Sequence, residues 1–267
     1  MTKAEKARNE IGAVERLAAG DSPLHRISPL AGLFLTVLFI AVTVSFHKYN
    51  ITSLIVMVIV PVLGYFISGI PVSTCFIKLR IVMPLVCALG LINPFLDKNI
   101  IMRVGSVGIS GGVISMITLM LKGIFCLMMS FLYIATNPID EICAGLRKIH
   151  FPKVLTALFL LTYRYISVLL GEVAVMTEAY QLRSPGQRGI KKAAWGSFLG
   201  QLLLRSMDRA QNLYDSMNLR GFSGEFYTVS RKKYSSWSWP AVILTGAFII
   251  AVRVFNVAGL IGSVFVR

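Results

Sequence analysis

The stretch Glu178-Ala-Tyr-Gln-Leu-Arg-Ser184 returns, 37 residues further on, as Asp215-Ser-Met-Asn-Leu-Arg-Gly221. Each copy begins with an acidic residue and ends with Leu-Arg, followed by a small residue that can stop a helix. Both copies lie in a basic part of a strongly hydrophobic chain. The repetition predicts two helices that each present one arginine, Arg183 and Arg220, to a docking partner.

The chain around these two segments has the composition of a membrane protein. Apolar residues make up 55% of its 267 residues and charged residues only 15%, whereas soluble domains carry about 25% charged residues. The mean hydropathy of +0.72 agrees with this. We therefore expect an integral membrane protein without a second, independently folded soluble domain.

Uncharged stretches predict five membrane spans, since a helix needs about 20 apolar residues to cross the hydrocarbon layer. These spans are expected near residues 28 to 46, 51 to 68, 79 to 96, 112 to 135 and 239 to 258. With the N-terminus in the cytoplasm, 21 of the 27 lysines and arginines fall on the cytoplasmic side, as the positive-inside rule requires. Lys122 and Arg253 lie within predicted spans, where each is expected to reach the interface or meet a carbonyl of another helix.

The predicted spans divide the chain into three parts. Residues 1 to 136 hold the N-terminal cytoplasmic segment and the first four spans. Residues 137 to 236 form a basic cytoplasmic region of amphipathic helices, and residues 237 to 267 form the last span. The predicted fold class is therefore an all-α membrane protein with about five spans and a set of cytoplasmic helices before the last one.

The cytoplasmic region is predicted to contain one short and two long helices. Asn137-Pro138 is a helix start, and it precedes a short amphipathic helix. A long helix follows from Lys153 to Arg183, where Ser184-Pro185-Gly186 stops it. The second long helix runs from about Ile190 to Arg220, and Gly221 is the residue expected to take the left-handed cap.

Two features of the long helices bear on how they are used. Residues 154 to 174 could instead form a sixth span with Arg164 in its middle, but a charge at the bilayer centre costs a few kcal/mol. A helix at or just below the interface is the simpler interpretation. Gly196 and Gly200 form a small-xxx-small pair that would let the second long helix cross another one closely, giving a stiff pair that can transmit a displacement.

Two longer segments carry a family resemblance. One reads Trp195-Gly-Ser-Phe-Leu-Gly-Gln-Leu-Leu-Leu-Arg205-Ser-Met-Asp-Arg209-Ala-Gln-Asn-Leu-Tyr-Asp-Ser-Met217-Asn-Leu-Arg220-Gly-Phe-Ser-Gly224, and the other is the entry segment Ser22-Pro-Leu-His-Arg-Ile-Ser-Pro29 before the first span. Together they resemble the transmembrane (T) component of energy-coupling-factor transporters, closest to its cobalt branch, the CbiQ family. The similarity covers nearly the whole chain, and its most specific part is the paired arginine motif with Arg-Gly-Phe-x-Gly.

The resemblance implies a non-catalytic coupling subunit of an ATP-driven importer. In such transporters two copies of a peripheral ATPase hydrolyse ATP, and each accepts one arginine of the T component in a groove. The family motifs usually read Ala-Arg-Ser or Ala-Arg-Gly. Here they read Leu182-Arg183-Ser184 and Leu219-Arg220-Gly221, with leucine in place of alanine.

The same resemblance predicts partners and location. ATP and Mg²⁺ would be bound by the ATPases, and a cobalt ion by a separate substrate-capture membrane subunit, with or without a small accessory membrane subunit. Nickel or a vitamin are alternative substrates. We expect the chain in the cytoplasmic (inner) membrane of a bacterium, in contact with lipid and without a cofactor or metal of its own.

The residues themselves weigh against other functions. The chain has no Gly-x-x-x-x-Gly-Lys-Ser/Thr motif, and its three histidines and four cysteines lack the spacing of metal ligands. Gly221-Phe-Ser-Gly224 is similar to the serine motif of rhomboid proteases, but no histidine follows Ser223 to act as its base. The net charge of +15 is concentrated beside the predicted membrane, which favours anionic lipid and protein partners over nucleic acid. A stand-alone carrier or channel remains the alternative from another class.

Overall fold

The computed structural model describes residues 3–47, 51–80, 82–96, 100–104, 107–187, 189–224, 226 and 237–254. These ranges are helical apart from one short hairpin and their connections. In chain order the elements are α1 Lys3–Ala18, α2 Pro29–Ser45, α3 Ile51–Met57, α4 Ile59–Ser68, α5 Val72–Leu79, α6 Met83–Leu96, β1 Ile100–Val104, β2 Val107–Ser110, α7 Gly111–Thr136, α8 Ile139–Lys148, α9 Lys153–Arg183, α10 Trp195–Leu219 and α11 Ser238–Val254.

Internal contacts divide the chain into two compact units. The bundle unit comprises residues 17–137 and 232–267, and the long-helix unit comprises residues 1–16 and 138–231. The bundle unit therefore holds α2 to α7 and α11, whereas the long-helix unit holds most of α1 together with α8, α9 and α10.

The bundle unit is built around α7, which packs against α2, α4 and α6, while α11 packs against α2. Large apolar side chains from these helices form its core: Phe39, Leu54, Met57, Tyr65, Phe125, Leu132 and Ile249. The phenol of Tyr65 is 1% exposed and donates a hydrogen bond of 3.0 Å to the Met128 carbonyl. The buried hydroxyl of Tyr65 is thus satisfied, as a low-dielectric interior requires.

The entry segment before α2 is held by a buried histidine. His25 lies in a 3₁₀ turn, Pro23–Arg26, and its Nε2 is 2.9 Å from the Leu17 carbonyl. Its Nδ1 is 2.6 Å from the Ser22 hydroxyl. A neutral ring that donates from Nε2 and accepts at Nδ1 satisfies both contacts, so the segment enters α2 from a fixed position.

Both charged residues of the predicted spans contact the carboxyl end of α2. Lys122 on α7 donates hydrogen bonds to the carbonyls of Val44, at 3.0 Å, and of Phe46. Arg253 on α11 donates to the Ser45 carbonyl at 3.2 Å, and its guanidinium lies 5.3 Å from the centre of the Phe46 ring. The expectation that these side chains meet carbonyls of another helix is confirmed. They supply the partners that the last turn of a helix lacks, at the negative end of its dipole.

The second predicted span is interrupted where a proline enters it. The sequence predicts one helix over residues 51 to 68, but the structure has α3 and α4 separated at Val58. Pro61 has no N–H to donate to the carbonyl four residues earlier, and its ring crowds that carbonyl. The affected carbonyl belongs to Met57, the residue at which α3 ends.

The third predicted span, residues 79 to 96, corresponds to parts of two helices, α5 and α6. Between α6 and α7, the strands β1 and β2 form an antiparallel hairpin. Its strands pair Met102 with Ile109 and Arg103 with Gly108. Isoleucine and valine occur in both strands and favour extended backbone. The hairpin is an addition to the predicted all-α fold.

Among the described residues, two helices are long and apolar enough to cross a membrane, by length and composition. They are Gly111–Thr136, with 26 residues, and Lys153–Arg183, with 31. The helices Pro29–Ser45 and Ser238–Val254, and the interrupted stretch of α3 and α4, are apolar but shorter. The number of spans and the sixth-span alternative for residues 154 to 174 therefore stay predictions.

The long-helix unit follows the helix order expected from the sequence, with the addition of α1. The helix α9 begins and ends at the predicted residues, Lys153 and Arg183, and α10 is preceded by a 3₁₀ turn at Lys192–Ala194. Beside α9 lies α1, whose Glu15 carboxylate accepts a hydrogen bond from the Tyr163 hydroxyl. The helix α1 was not predicted from the sequence because its residues are mostly polar.

Replacing Lys122 with methionine should destabilise the bundle unit. The change removes the charged donor from two carbonyls at the end of α2, and hydrogen bonds to charged groups contribute about 1.5 to 3 kcal/mol. We expect a clearly lower melting temperature for the protein purified in detergent, measured by scanning fluorimetry. Lys122→Arg retains the charge and should melt close to the wild type. Equal melting of Lys122→Met and wild type would show that the cap contributes nothing.

Candidate docking site at two helix ends

The carboxyl end of α10 is closed by a Schellman motif. Gly221 has a φ of +75°, and its N–H donates to the Asn218 carbonyl at 2.9 Å. The N–H of Phe222 donates to the Met217 carbonyl at 3.0 Å. The predicted left-handed cap at Gly221 is confirmed, and glycine takes it without the steric penalty of a Cβ. Arg220 is consequently the C-cap residue, at the point where the chain reverses.

The carboxyl end of α9 presents a similar segment. Arg183 is its last residue, and the N–H of Ser184 donates to the carbonyls of Tyr180, at 3.1 Å, and Gln181, at 3.2 Å. Gly186 then takes a φ of +87°, so the chain turns away soon after the helix ends. The predicted stop at residues 184 to 186 is confirmed.

At both ends an exposed leucine precedes an exposed arginine. The exposed fraction is 84% for Leu182 and 90% for Leu219, and both arginines are exposed. An arginine at a helix end is favoured by the helix dipole alone. The two leucines are among the most exposed large apolar side chains in the described part of the chain, and each leaves its apolar surface uncovered. We call Leu182-Arg183-Ser184 and Leu219-Arg220-Gly221 the docking ends.

One acidic side chain joins the two helices that carry the docking ends. Glu172 on α9 forms an ion pair with Arg205 on α10, and its other carboxylate oxygen lies 3.6 Å from Nη2 of Arg209. Arg183 follows Glu172 by 11 residues, and Arg220 follows Arg209 by 11 residues. At 1.5 Å per residue, Arg183 lies about 16 Å along α9 from Glu172, whereas Arg220 lies about 16 Å along α10 from Arg209 and about 22 Å from Arg205.

Beyond the ion pair the two helices enclose an apolar groove of about 500 Å³. Its walls come from the first half of α9, the second half of α10 and the segment after α10. The lining residues are Val154, Ala157, Leu158, Leu161, Thr162, Tyr165, Leu169, Ser206, Arg209, Ala210, Leu213, Tyr214, Met217, Phe222 and Gly224. The two helices thus meet through a polar contact beside a groove and are not packed tightly over their length.

The small-residue pair on α10 lies away from this contact. A Cβ built on Gly196 or on Gly200 meets no atom within 4 Å. The described part of the chain therefore places no helix against these glycines, and the expected close crossing of the two long helices at this pair is not found there. Glu172, Arg205 and Arg209 make the contact instead. In the sequence, Glu172 stands out only as an acidic residue within an apolar helix, and Arg205 and Arg209 only as two arginines one helical turn apart.

The contact made by Arg147 was not predicted from the sequence either. This residue lies in the last turn of α8, and its Nη1 donates to the Phe226 carbonyl at 2.7 Å.

The helix α8 ends in the same manner as α10. The N–H of His150 donates to the Arg147 carbonyl at 3.1 Å, and the N–H of Phe151 donates to the Leu146 carbonyl at 3.3 Å. Here His150 takes the left-handed conformation, with a φ of +63°. The sequence carries no glycine to mark this turn.

The structure offers no evident metal site in the described ranges. They contain no group of three or more histidine, cysteine, aspartate or glutamate side chains that could hold a metal ion. Burial raises the pKa of the Cys143 thiol on α8, and the Asp140 carboxylate raises it further. A thiol in this setting stays protonated at neutral pH and is a poor metal ligand or nucleophile.

Comparison with known proteins places the chain among transport proteins. The sequence model of the family described as "Cobalt transport protein", CbiQ, matches residues 20–235. The "Cobalt transport protein CbiQ" of Rhodobacter capsulatus is 32% identical over 113 residues, which are 41% of this chain and 46% of the relative. The "Nickel permease LarQ" of Lactiplantibacillus plantarum is 30% identical over 122 residues, 44% of each chain. An uncharacterized protein of Methanocaldococcus jannaschii, MJ1571, is 24% identical over 197 residues, 70% of this chain and 67% of the relative.

The aligned parts of the first two relatives cover somewhat less than half of their lengths. The family model, in contrast, extends from the entry segment through both docking ends. The family resemblance found in the residues is thereby confirmed. The chain belongs to the CbiQ family of cobalt transport proteins.

Proposed function

We propose that the chain is the membrane-embedded coupling (T) subunit of an ATP-driven energy-coupling-factor importer. Two copies of a cytoplasmic ATPase bind the docking ends, and their closure on ATP moves the long helices against a separate substrate-capture membrane subunit. The observation that carries the proposal is the pair of matched helix ends, each with an exposed leucine beside an exposed arginine. The chain hydrolyses no ATP in this scheme, and ATP and Mg²⁺ are bound by the partners.

The chemistry of the docking ends suits a protein partner. Burying one leucine side chain contributes about 1.5 to 3 kcal/mol. A guanidinium can form two parallel hydrogen bonds to a carboxylate and stays charged when partly buried. Since both ends lie on one chain, an ATPase dimer would be held with an avidity that neither end provides alone.

The arrangement of α9 and α10 suits the transmission of a displacement. The docking ends lie about 16 to 22 Å along their helices from the ion pairs of Glu172. A displacement of either Arg183 or Arg220 therefore acts on the same contact, the ion pairs between Glu172 of α9 and two arginines of α10.

A surface for the capture subunit is available on α10. Gly196, Gly200, Leu203 and Met207 recur at helical spacing and share one face. Leu203 and Met207 are each 60% exposed, and the glycines face open space. Small residues beside large apolar ones let a partner's helix approach closely. We assign this face, which we call the glycine face, to the capture subunit, with or without a small accessory membrane subunit.

In the proposed topology the bundle unit lies in a bacterial cytoplasmic membrane with five spans, and the N-terminus is cytoplasmic. The long-helix unit lies on the cytoplasmic side, where its basic residues meet anionic lipid headgroups. The domain boundaries follow as 1 to 136, 137 to 236 and 237 to 267.

The proposed substrate is a cobalt ion, held by the capture subunit. The family description and the CbiQ relative support cobalt, while the LarQ relative, named a nickel permease, supports nickel as the alternative. A vitamin is the third possibility. Metal loading of the purified complex, read by elemental analysis after incubation with equal cobalt and nickel, would distinguish the two ions.

Reversing the charge of both docking arginines should separate the subunit from its ATPases. In Arg183→Glu with Arg220→Glu, each docking end carries a carboxylate that faces the carboxylate proposed on the partner, so attraction is replaced by repulsion. We expect ATPase co-purification and substrate uptake to fall at least tenfold, while the amount of subunit in the membrane is unchanged. The matched control is Arg16→Glu with Arg164→Glu, which alters two exposed arginines away from the ends.

Uptake and co-purification at wild-type levels in the docking-end double variant would refute ATPase binding at these arginines. A purified wild-type chain that transports in liposomes without any ATPase would refute coupling altogether. That result would favour the stand-alone carrier.

Shortening both docking leucines should weaken ATPase binding without affecting the fold. Leu182→Ala with Leu219→Ala removes apolar surface that is exposed in the free chain, so we expect an unchanged melting temperature. The dissociation constant for the ATPase should rise at least tenfold, since about 1.5 kcal/mol or more is lost. Leu244→Ala, at a leucine 74% exposed on α11, is the control. Unchanged affinity would mean that the leucines stay exposed in the complex.

Filling the glycine face should release the capture subunit only. Gly200→Leu places a branched side chain where a close helix approach is proposed, so capture-subunit binding should be lost while ATPase co-purification persists. Gln201→Leu adds a similar side chain one residue along and should have little effect. Quantitative pull-down with a tagged capture subunit measures both. Retention of the capture subunit by Gly200→Leu would rule out this face.

A further inference from the structure

The segment after α10 is fastened to α8 by one arginine. Arg147 donates from Nη1 to the Phe226 carbonyl, a distance of 2.7 Å across 79 residues of sequence. An arginine in the last turn of a helix commonly interacts with the carbonyls of its own helix. This one reaches the backbone of a segment that follows a docking end.

The path from the docking end to this hydrogen bond is short. Phe222 is bonded back to Met217 through the Schellman motif, and its ring lies 4.9 Å from the ring of Phe226 at an angle of 41°. Phe226 and Arg147 line a narrow cleft together with Thr156, Ala157 and Leu160 of α9. The hydrogen bond of Arg147 therefore ties the end of α10 to the junction of α8 and α9.

The helix α10 has few other attachments. None of its side chains is buried in the described structure, and it meets α9 at the ion pair of Glu172 and across an open groove. With one attachment at Glu172, the end of α10 can pivot about that point. The second attachment, at Phe226, restrains this rotation because it lies beyond Arg220 on the same helix end.

The structure to which α10 is tied is itself well packed. The helices α8 and α9 pack closely, with Cys143 3%, Thr156 2% and Ala157 8% exposed. The turn between them is closed by the two backbone hydrogen bonds around His150. Arg147 thus connects the exposed end of α10 to the packed junction of α8 and α9.

The geometry points to Arg147 as a positioning residue for coupling, an inference that rests on the function proposed above. It holds the Arg220 docking end in a fixed orientation relative to α8 and α9. A push by an ATPase on Arg220 is then transmitted to the whole long-helix unit. Without Arg147 the same push rotates α10 about Glu172 and is lost.

A first experiment measures the restraint itself in the full chain, purified in detergent. Spin labels are attached at Phe159→Cys on α9 and Asp215→Cys on α10 after the four native cysteines are replaced by alanine, and their separation is measured by pulsed electron spin resonance. We expect a narrow distance distribution with Arg147 and a broad one in Arg147→Met. Arg147→Lys keeps a charged donor and should restore part of the narrow peak. The control Arg164→Met, at an exposed arginine of α9, should leave the peak unchanged.

A second experiment measures coupling in the assembled transporter. Arg147→Met should retain ATPase co-purification and ATP hydrolysis, while substrate uptake per ATP hydrolysed falls about tenfold or more. Tenfold corresponds to about 1.4 kcal/mol, close to the loss of one hydrogen bond to a charged group. A merely structural role would instead lower the yield and the co-purification together.

The two experiments separate the possible failures. A narrow distribution in Arg147→Met would overturn the restraint. A broad distribution with unchanged uptake per ATP would overturn the coupling role of the restraint. If the wild-type chain bound no ATPase, the proposed function would fail and the coupling role with it, although the spin-label result would stand.

Discussion

The last turn of an α-helix leaves its carbonyl groups without partners inside the helix, and in apolar surroundings those groups must be satisfied from elsewhere. The architecture of this chain depends on how that need is met. The end of α2 is capped by Lys122 and Arg253, which belong to two other helices. The ends of α8 and α10 are closed by reversal of their own backbone. Helix ends are therefore the points where the chain is tied together and, in the function proposed above, where it offers groups to partners.

The two units use different interactions for their stability. The bundle unit has a continuous buried core of large apolar side chains, around which its helices are fixed. The long-helix unit holds α10 through polar contacts made by Glu172 and Arg147. Polar contacts have a defined geometry but cover little surface, so they orient a helix without embedding it. A part that must be displaced as a rigid body is well served by such attachments.

Local signals in the sequence were sufficient for much of this fold. Pro152 and the Ser184-Pro185-Gly186 stop delimit α9 to the residue, and Gly221 marks the end of α10, because these residues restrict the backbone wherever they occur. The break before Pro61 had the same kind of signal and could have been predicted. The docking ends were found because their pattern is repeated along the chain.

The features that were missed depend on residues far apart in sequence. Glu172 with Arg205, and Arg147 with the Phe226 carbonyl, are pairs that no spacing rule indicates. The left-handed turn at His150 lacks the glycine that would announce it. The sequence could predict that Lys122 and Arg253 meet a carbonyl of another helix. It could not predict that both reach the end of α2, because this depends on how α2, α7 and α11 pack together.

The exposure of Leu182 and Leu219 has a consequence for biogenesis. In the topology proposed above, side chains 84% and 90% exposed give a newly made copy two apolar points on its cytoplasmic side. Until these points are covered, they are available to chaperones, to proteases and to other copies of the chain. Orphan subunits would then be cleared, and the cellular amount of this protein would follow the supply of its partners more closely than its own rate of synthesis.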